Sequence, residues 1–437
     1  MDATAGPTGL KPAVRLLDLV MLGAGTAIGA AIFTVLGPAA KVAGSGLLIA
    51  TLLSALPMAL FALVYAWLAS AAPATAASYE WQRRFTRPGL AFAIVWLRVL
   101  SNAVVMIVLA RTLTNYLSVL ATFPVKPAML AMFTVIFVLN YLGVAVAARV
   151  QTALMLLLLA VLAVFVAAAG PHLKPALFGQ ALSGGWVPIA TAMPLMIQLF
   201  LGIETSTEIG EEVADARRVV PLGIAGALAL TAAVYLAVTF AALSLIGPQR
   251  LAASAAPLLD AARTVLGRFA APLIVGGATL ALVKSMNAIF LVYARFLFAM
   301  GRAGTLPAAL GRIHPRFGTP HVATILAFAA SVAGLALPSS LLFLLLAVNV
   351  PTMMKYLGTC LAAYSVAANH PQVAAAARLR LAPGLVKALS VLGMIAAIAI
   401  ATVGLGADVR PYELLAVWLG VGLAWYAWRK RVAERRP

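Results

Sequence analysis

The residues of this sequence best able to do chemistry are a few ionisable side chains set inside long apolar runs. The most central are Glu204, Lys284 and Lys355. A charge at that depth in a bilayer is costly, so each is expected either to serve the function or to pair with an opposite charge. The others at comparable depth are Glu208, Arg98, Arg111 and Arg295. Of these, the arginines at 111 and 295 stand near span ends, where their side chains can snorkel to the interface.

Glu204 stands in a stretch, Leu199–Gly210, whose composition weakens a helix and gathers polar groups. Gly202 precedes the acid, and three hydroxyl residues, at 205–207, follow it. A carboxylate and hydroxyls beside freed backbone groups can hold a polar solute or a proton in a low-dielectric site. The alternative is structural: the hydroxyls bond back to the preceding turn, and Glu204 pairs with a nearby Lys or Arg. The sequence alone leaves both interpretations open.

A second glycine-rich stretch, 22–33, lies in the first apolar run and has glycines at 23, 25 and 29. Glycine in a helix interior costs roughly 1 kcal/mol against alanine, and lipid has no water to bond a freed backbone group. A break there must line a cavity or be buried in protein. The alternative is a small-residue face, with Gly25 and Gly29 packing against another helix. Two such stretches in one chain favour the break, because transporters built as inverted repeats place two discontinuous helices around a midplane site.

Two broken helices present groups of opposite polarity. N–H groups freed around Ala24–Gly29, at the start of an outer half-helix, favour an anion. Carbonyls at the end of an inner half-helix favour a cation. An α-amino acid carries one charge of each sign and suits this pair.

The composition is that of a membrane protein. Of 437 residues, 64% are hydrophobic and 10% are charged, whereas soluble proteins are about 45–50% apolar. Several uncharged runs reach the ~20 residues needed to cross the hydrocarbon core. Hydropathy and turn residues predict twelve spans, at roughly 14–43, 46–70, 89–120, 127–147, 150–170, 187–212, 219–246, 269–301, 322–337, 340–367, 385–405 and 412–428.

The net charge of +19 comes from the loops rather than from a basic domain. Lys and Arg gather in alternate loops, on the side that also holds both chain ends. By the positive-inside rule, both termini are expected in the cytoplasm. The sequence therefore predicts a multi-pass protein of a plasma membrane of the bacterial inner-membrane type, with no nucleic-acid partner.

Four motifs, in order along the chain, resemble those of the amino acid/polyamine/organocation (APC) transporter superfamily. They are the run Gly23–Phe33, the triplet Gly202-Ile-Glu204, the acidic-basic-proline sequence at 211–221, and the segments at 295–307 and 314–320. The first run departs from the family pattern at Thr26, Ala27 and Ala31. The resemblance covers most of the chain.

This resemblance implies an all-α integral membrane fold of twelve transmembrane helices, in which helices 1 and 6 are discontinuous. It implies a single transporter domain over 1–437, built as a five-plus-five inverted repeat. The first repeat would hold spans 1–5 at 14–170, the second spans 6–10 at 187–367, and spans 11–12 would follow at 385–428.

The resemblance also implies where the substrate binds. Backbone near Ala24–Gly29 would hold the substrate carboxylate, and carbonyls near Phe200–Ile203 would hold its amino group. The expected substrate-binding residues are Ala24, Gly25, Thr26, Ala27, Ile28, Gly29, Phe200, Gly202, Ile203 and Thr205. In some relatives the glutamate matching Glu204 is protonated during transport, which makes Glu204 a candidate for proton coupling.

Ion coupling is where this sequence departs from the family. Sodium-independent relatives often carry a lysine in the fifth span that substitutes for a sodium ion between spans one and eight. Here span five, Val150–Gly170, has no lysine, and Lys284 lies in span eight. We hypothesise that Lys284 supplies the same charge, replaces sodium and can cycle a proton. The alternative is a structural lysine that pairs with an acid or with backbone carbonyls.

Together, Arg98, Lys284 and Lys355 make the interior basic, which argues against a cationic substrate because like charges repel in a low-dielectric cavity. The sequence thus predicts a secondary active transporter of neutral or acidic amino acids that works by alternating access, sodium-independent and proton-coupled. An exchanger or a non-transporting amino acid sensor of the same fold stays open. A channel would more naturally show repeated filter residues or an oligomeric pore.

No enzymatic activity, cofactor or metal is expected. The four histidines fall in loops without metal-ligand spacing, and the single cysteine, Cys360, excludes a multi-cysteine site. The expected partners are an amino acid, a coupling proton and the lipid bilayer, with the protein a monomer or a homodimer.

Overall fold

The computed structural model describes residues 14–29, 31–118, 122–254, 256–336, 341–402 and 409–434. These residues are almost entirely helical, and their only strand-like pairings are two isolated bridges, Val14 with Val213 and Thr75 with Ile209. The α-helices are α1 Leu16–Ala27, α2 Ala31–Thr34, α3 Leu36–Ala43, α4 Leu47–Ala71, α5 Ala77–Phe85, α6 Pro88–Leu117, α7 Val125–Tyr141, α8 Val144–Ala169, α9 Ala176–Gln180, α10 Trp186–Ile197, α11 Ala216–Ala253, α12 Pro257–Leu266, α13 Ala270–Arg302, α14 His321–Ala333, α15 Leu341–Asn369, α16 Pro371–Ala375, α17 Pro383–Thr402 and α18 Arg410–Glu434.

Many of the described helices have the length and composition of membrane-spanning helices. Seven are long and apolar enough to cross one, or eight if the pair Trp186–Met193 and Leu195–Glu208, bent by 43°, counts as one span. The outward surface keeps large apolar side chains such as Leu56, Ile395 and Val417 exposed, as lipid contact allows. The predicted all-α integral membrane fold is confirmed. Helices lie at each predicted span, but the count of twelve and the inverted repeat stay predictions.

Both glycine-rich stretches interrupt a helix. The first helix, α1, ends at Ala27, and Ile28 leaves helical geometry with φ −74° and ψ 67°. After α10, a 3-10 turn runs to Phe200, and Leu201 is extended with φ −64° and ψ 128°. Gly202 follows with a φ of 107°, which costs a glycine little and an L-residue with a side chain much more. The chain then continues as a 3-10 segment, Ile203–Glu208.

The surrounding helices bury both breaks. α1 packs against α8, α11 and α13 and against the 3-10 segment Ile203–Glu208. That segment also contacts α4, α11 and α13, while α15 packs on α6 and α17. In lipid, irregular backbone is tolerated only when protein or a water-filled cavity surrounds it, and this packing meets that condition.

A buried ion pair fixes one end of this core. Arg295, near the end of α13, binds Glu212 through Nε and Nη2, both at 3.0 Å, and the two side chains are 1% and 0% exposed. The backbone of Glu212 also accepts a hydrogen bond from the Val14 amide at 3.1 Å. The expectation that Arg295 snorkels to the interface is therefore wrong. Its charge is satisfied by a residue 83 positions away in the sequence, a contact that local pattern cannot predict.

We expect Glu212→Gln to destabilise the folded protein by about 3–5 kcal/mol, because it leaves the Arg295 guanidinium buried without a counter-charge. Thermal unfolding of the purified protein in detergent measures the loss. Glu211→Gln is the matched control: Glu211 pairs with Arg302 at 3.2 Å, but that arginine side chain is 35% exposed. Its loss should cost no more than about 1 kcal/mol. Equal melting temperatures for the two variants would contradict the prediction.

Candidate functional site

The two breaks lie against each other. A Cβ atom added at Gly202 would lie 2.5 Å from Thr26 Cγ2, and one added at Gly23 would lie 2.7 Å from the Ile203 carbonyl oxygen. No side chain fits at either glycine without displacing the neighbouring segment. Gly25 and Gly29, for which the sequence left a break or close packing open, stand at the break and also lie against other helices. An added Cβ would meet Gln151 Nε2 at 2.5 Å and Ser285 Oγ at 2.7 Å, respectively.

The ammonium group of Lys284 reaches the first break from α13. Nζ donates to the carbonyl oxygens of Gly25 and Ile28, and the lysine is fully buried. In the part of the chain that the structure describes, no carboxylate forms an ion pair with it. The sequence allowed two structural partners for Lys284, an acid or backbone carbonyls. Among the described residues, its partners are backbone carbonyls. The Lys284 amino group therefore lies between α13 and the broken end of α1.

The polarity of the first break differs from the expectation. The amides of Ala24–Ala27 lie within α1, the Ile28 amide donates to Ala24 O at 2.7 Å, and the Gly29 amide donates to Ala27 O at 2.7 Å. The expected free N–H groups over Ala24–Gly29 are thus already bonded, and that prediction is wrong for this conformation. What the break presents is carbonyl oxygens, because ending a helix releases the acceptors of its last turn.

Glu204 in the second break is paired with Lys355 of α15. Lys355 Nζ lies 2.7 Å from Glu204 Oε1, and both side chains are 4% exposed. The Gly202 amide donates to the other oxygen, Oε2, at 3.1 Å. The structural interpretation of Glu204 therefore holds in this conformation: the carboxylate binds a lysine and closes its own turn. Pairing does not remove a role in proton coupling, because a proton on Glu204 would release Lys355.

A second acid, Glu208, lies near the same lysine. Its Oε1 is 3.8 Å from Lys355 Nζ. The carboxylate accepts hydrogen bonds from the Ser78 amide, at 3.1 Å, and from the Ser78 hydroxyl. The rings of Tyr65 and Tyr356 flank the ammonium, with centroids at 5.8 and 5.3 Å. Lys355 thus has two carboxylates and two aromatic rings as neighbours.

Arg98 of α6 extends this polar layer. Its Nη1 donates to Ser101 Oγ at 3.0 Å and to Thr352 Oγ1 at 2.7 Å, and its Nη2 donates to Asn102 Oδ1 at 2.9 Å. Thr352 stands one helical turn before Lys355 on α15. Neither Glu204 nor Glu208 forms an ion pair with Arg98, because their cationic partner in the described part of the chain is Lys355. Among the described residues, the partners of Arg98 are all neutral.

The remaining predicted site residues line the contact between the breaks. Phe200, Ile203 and Thr205 are buried, and the Thr205 amide bonds to the Gly202 carbonyl at 2.9 Å. Thr26 turns its hydroxyl back to the Leu22 carbonyl at 2.8 Å, so its methyl group faces Gly202. The structure therefore brings the predicted residues of the two stretches together.

Several polar residues around the first break were not singled out from the sequence. The Tyr235 hydroxyl donates to Ala27 O at 2.7 Å, and Ser285 Oγ donates weakly to Gly25 O at 3.4 Å. Gln151 of α8 abuts Gly25, where an added Cβ would meet its Nε2 at 2.5 Å. Asn287 Nδ2 in turn donates to Gln151 Oε1 at 3.2 Å. The sequence signal that could have identified each of these residues is a polar side chain on an otherwise apolar helix.

Within the described residues, no group of three His, Cys, Asp or Glu side chains is arranged to hold a metal.

Comparison with known proteins agrees with this architecture. A family model described as amino acid permease matches residues 14–423. An uncharacterized transporter of Mycobacterium bovis is 33% identical over 77% of this chain and 76% of its own length. The branched-chain amino acid permease BcaP of Bacillus subtilis is 27% identical over 74% of each chain. A methylthioribose transporter of the same species is 27% identical over 88% of this chain and 87% of its own.

The matched region begins before the first break and ends within α18, so the match includes both broken helices and the lysines, arginine and glutamates of the buried layer. The chain belongs to the amino acid permease family, within the APC superfamily of membrane transporters that its motifs resemble.

Proposed function

We propose that this protein is a secondary active amino acid transporter that works by alternating access and needs no sodium. The observation that carries the proposal is the Lys284 ammonium, which donates to the Gly25 and Ile28 carbonyls at the first break. Carbonyls at the end of a helix are a site for a cation. Here a covalently attached cation occupies it, so a separate sodium ion is not required to neutralise the break.

The substrate binds between the two breaks, among Ala24–Gly29 and Phe200–Thr205. Its carboxylate takes amide hydrogens of the first break, and its amino group takes carbonyls of the second. Because the Ile28 and Gly29 amides bond within their own turn, binding exchanges those hydrogen bonds for bonds to the carboxylate. The substrate therefore binds a conformation in which the backbone of the first break has changed. Its affinity for that conformation differs from its affinity for the other, as alternating access requires.

Protons couple to this cycle through Glu204 and Lys284. Protonation of Glu204 removes the charge that holds Lys355 at 2.7 Å and leaves that lysine to Glu208. Because a buried ion without its partner is costly, the proton and the rearrangement of the layer are linked. The basic interior favours neutral or acidic amino acids over cationic ones. The protein lies in a plasma membrane with both termini in the cytoplasm.

The first test is uptake of a panel of radiolabelled amino acids into proteoliposomes. An imposed proton gradient, a sodium gradient and internal amino acid are applied in separate experiments. We expect accumulation with the proton gradient and none that depends on sodium. Movement only against internal amino acid would show an exchanger, and binding without movement would show a sensor. Accumulation that follows the sodium gradient would overturn the proposal.

Lys284→Ala is expected to abolish sodium-independent uptake, because the carbonyls of the first break lose their cation. Uptake into proteoliposomes under the proton gradient measures the effect, with and without added sodium. Lys126→Ala is the control, since Lys126 is an exposed lysine of α7, and it should transport like the unmodified protein. Unchanged, sodium-independent uptake by the Lys284→Ala variant would remove this role for the lysine.

Glu204→Gln is expected to separate coupling from binding. The variant can no longer take up a proton at this position, so accumulation driven by the proton gradient should fall at least tenfold, whereas exchange of internal for external amino acid should persist. The double variant Glu204→Gln with Lys355→Met removes both charges of the pair and should recover thermal stability lost by the single variant. Undiminished proton-driven accumulation in Glu204→Gln would exclude Glu204 from coupling.

A further inference from the structure

The hydrogen bonding of Arg98 is incomplete. A guanidinium has five N–H donors, and the three bonds to Ser101, Thr352 and Asn102 use three of them. Nε has no hydrogen-bond partner among the described residues, and neither has Nδ2 of the adjacent Asn102. Arg98 is only 6% exposed and Asn102 1% exposed. Unmade hydrogen bonds at such depth are costly, most of all for a charged group.

The buried layer also holds more basic than acidic side chains. Setting aside Glu212 with Arg295 and Glu80 with its two neighbouring arginines, the buried ions of the described chain are Arg98, Lys284, Lys355, Glu204 and Glu208. Three are basic and two are acidic. Both acids lie against Lys355. A neutral amino acid leaves this imbalance of side chains in place, whereas a substrate of net charge −1 supplies a third acidic group.

The position of Arg98 fits a substrate contact. It lies ten residues into α6, about 15 Å along the helix axis from Pro88, which is half of a hydrocarbon core of about 30 Å. Through Thr352 it is one turn of α15 from Lys355, the partner of Glu204 in the second break. Its contact with Thr352 therefore links Arg98, through one turn of α15, to the ion pair of the second break.

We propose that Arg98 determines substrate specificity by binding a carboxylate on the substrate's side chain, so that the transporter accepts acidic amino acids. The Nε–H and the remaining Nη2–H of a guanidinium can bind one carboxylate side-on, the pairing for which arginine is best suited. The free Nδ2 of Asn102 adds a neutral donor. This inference rests on the proposed amino acid transport, and it narrows the substrate class.

The test is exchange in proteoliposomes of the full chain, which needs no ion gradient. Labelled leucine is exchanged against internal leucine, and glutamate, aspartate and glutamine compete from outside. For the unmodified protein we expect glutamate or aspartate to compete at lower concentration than glutamine. In Arg98→Met the half-inhibitory concentration of the acidic amino acid should rise at least about 30-fold relative to that of glutamine measured on the same variant.

Asn102→Asp gives a second variant that keeps the arginine. The new carboxylate replaces the Asn102 amide that already accepts from Nη2 at 2.9 Å, so it pairs with Arg98 from within the protein and repels an acidic substrate. The Asn102→Asp variant should lose competition by acidic amino acids relative to competition by glutamine, and it tests the proposal even if Arg98→Met fails to fold. Arg111→Met is the matched control: it lies on the same helix about 20 Å further along and should compete like the unmodified protein.

The outcomes separate two failures. In the first, leucine exchanges but acidic amino acids either do not compete or compete equally in Arg98→Met, Asn102→Asp and the unmodified protein. Arg98 is then structural, and the proposed amino acid transport still stands. If no amino acid of the full panel exchanges with or binds the unmodified protein, the proposed transport function falls, and this inference falls with it.

Discussion

A helix broken inside a bilayer releases backbone groups that lipid cannot bond, and the rest of this structure depends on how those groups are satisfied. At the first break the Lys284 ammonium and the Tyr235 hydroxyl reach in from α13 and α11 to the carbonyls of Gly25, Ile28 and Ala27. At the second, the Gly202 amide bonds the Glu204 side chain two residues on. Each break is thus closed by polar side chains, which explains why an otherwise apolar core holds them.

Those side chains bring charges into a low-dielectric interior, and the charges impose a second constraint. Lys355 pairs with Glu204 directly and with Glu208 at longer range. Two aromatic rings lie beside its side-chain nitrogen. Every ion in this layer is therefore tied to a neighbour on a different helix. Removing one charge, by protonation or by mutation, alters the balance for the others. In the proposed cycle, a change of protonation at Glu204 reaches α15 through Lys355, because a buried ion must find a new partner when it loses the first.

The sequence predicted what depends on local composition. The weakened helices at Gly25 and Gly202 follow from the cost of glycine in lipid, and the all-helical membrane fold follows from hydropathy. It did not predict contacts between residues far apart in the chain. The pairs Lys355–Glu204 and Arg295–Glu212 join different helices, 151 and 83 residues apart, and no periodic pattern encodes such a distance. The prediction of free N–H groups at the first break was also wrong. The Ile28 and Gly29 amides bond within their own turn, and this depends on backbone angles that composition does not determine.

The structure also limits how the proposed cycle can run. Val14, just before α1, is bound through its amide to the Glu212 carbonyl, and the Glu212 side chain is bound to Arg295 on α13. The start of the first broken helix and the exit of the second are therefore linked to α13 at one end of the molecule. Opening that end by moving α1 must break the Val14 bond, and moving α13 must also separate a fully buried ion pair, at about 3–5 kcal/mol unless water reaches the charges. A substrate that binds only a few kcal/mol more tightly to one conformation cannot supply both changes. In the proposed cycle, the lower-energy route at this end keeps Glu212 with Arg295 and breaks the Val14 bond. If α1 then moves away from α13, the bonds of Lys284 to the Gly25 and Ile28 carbonyls must break as well.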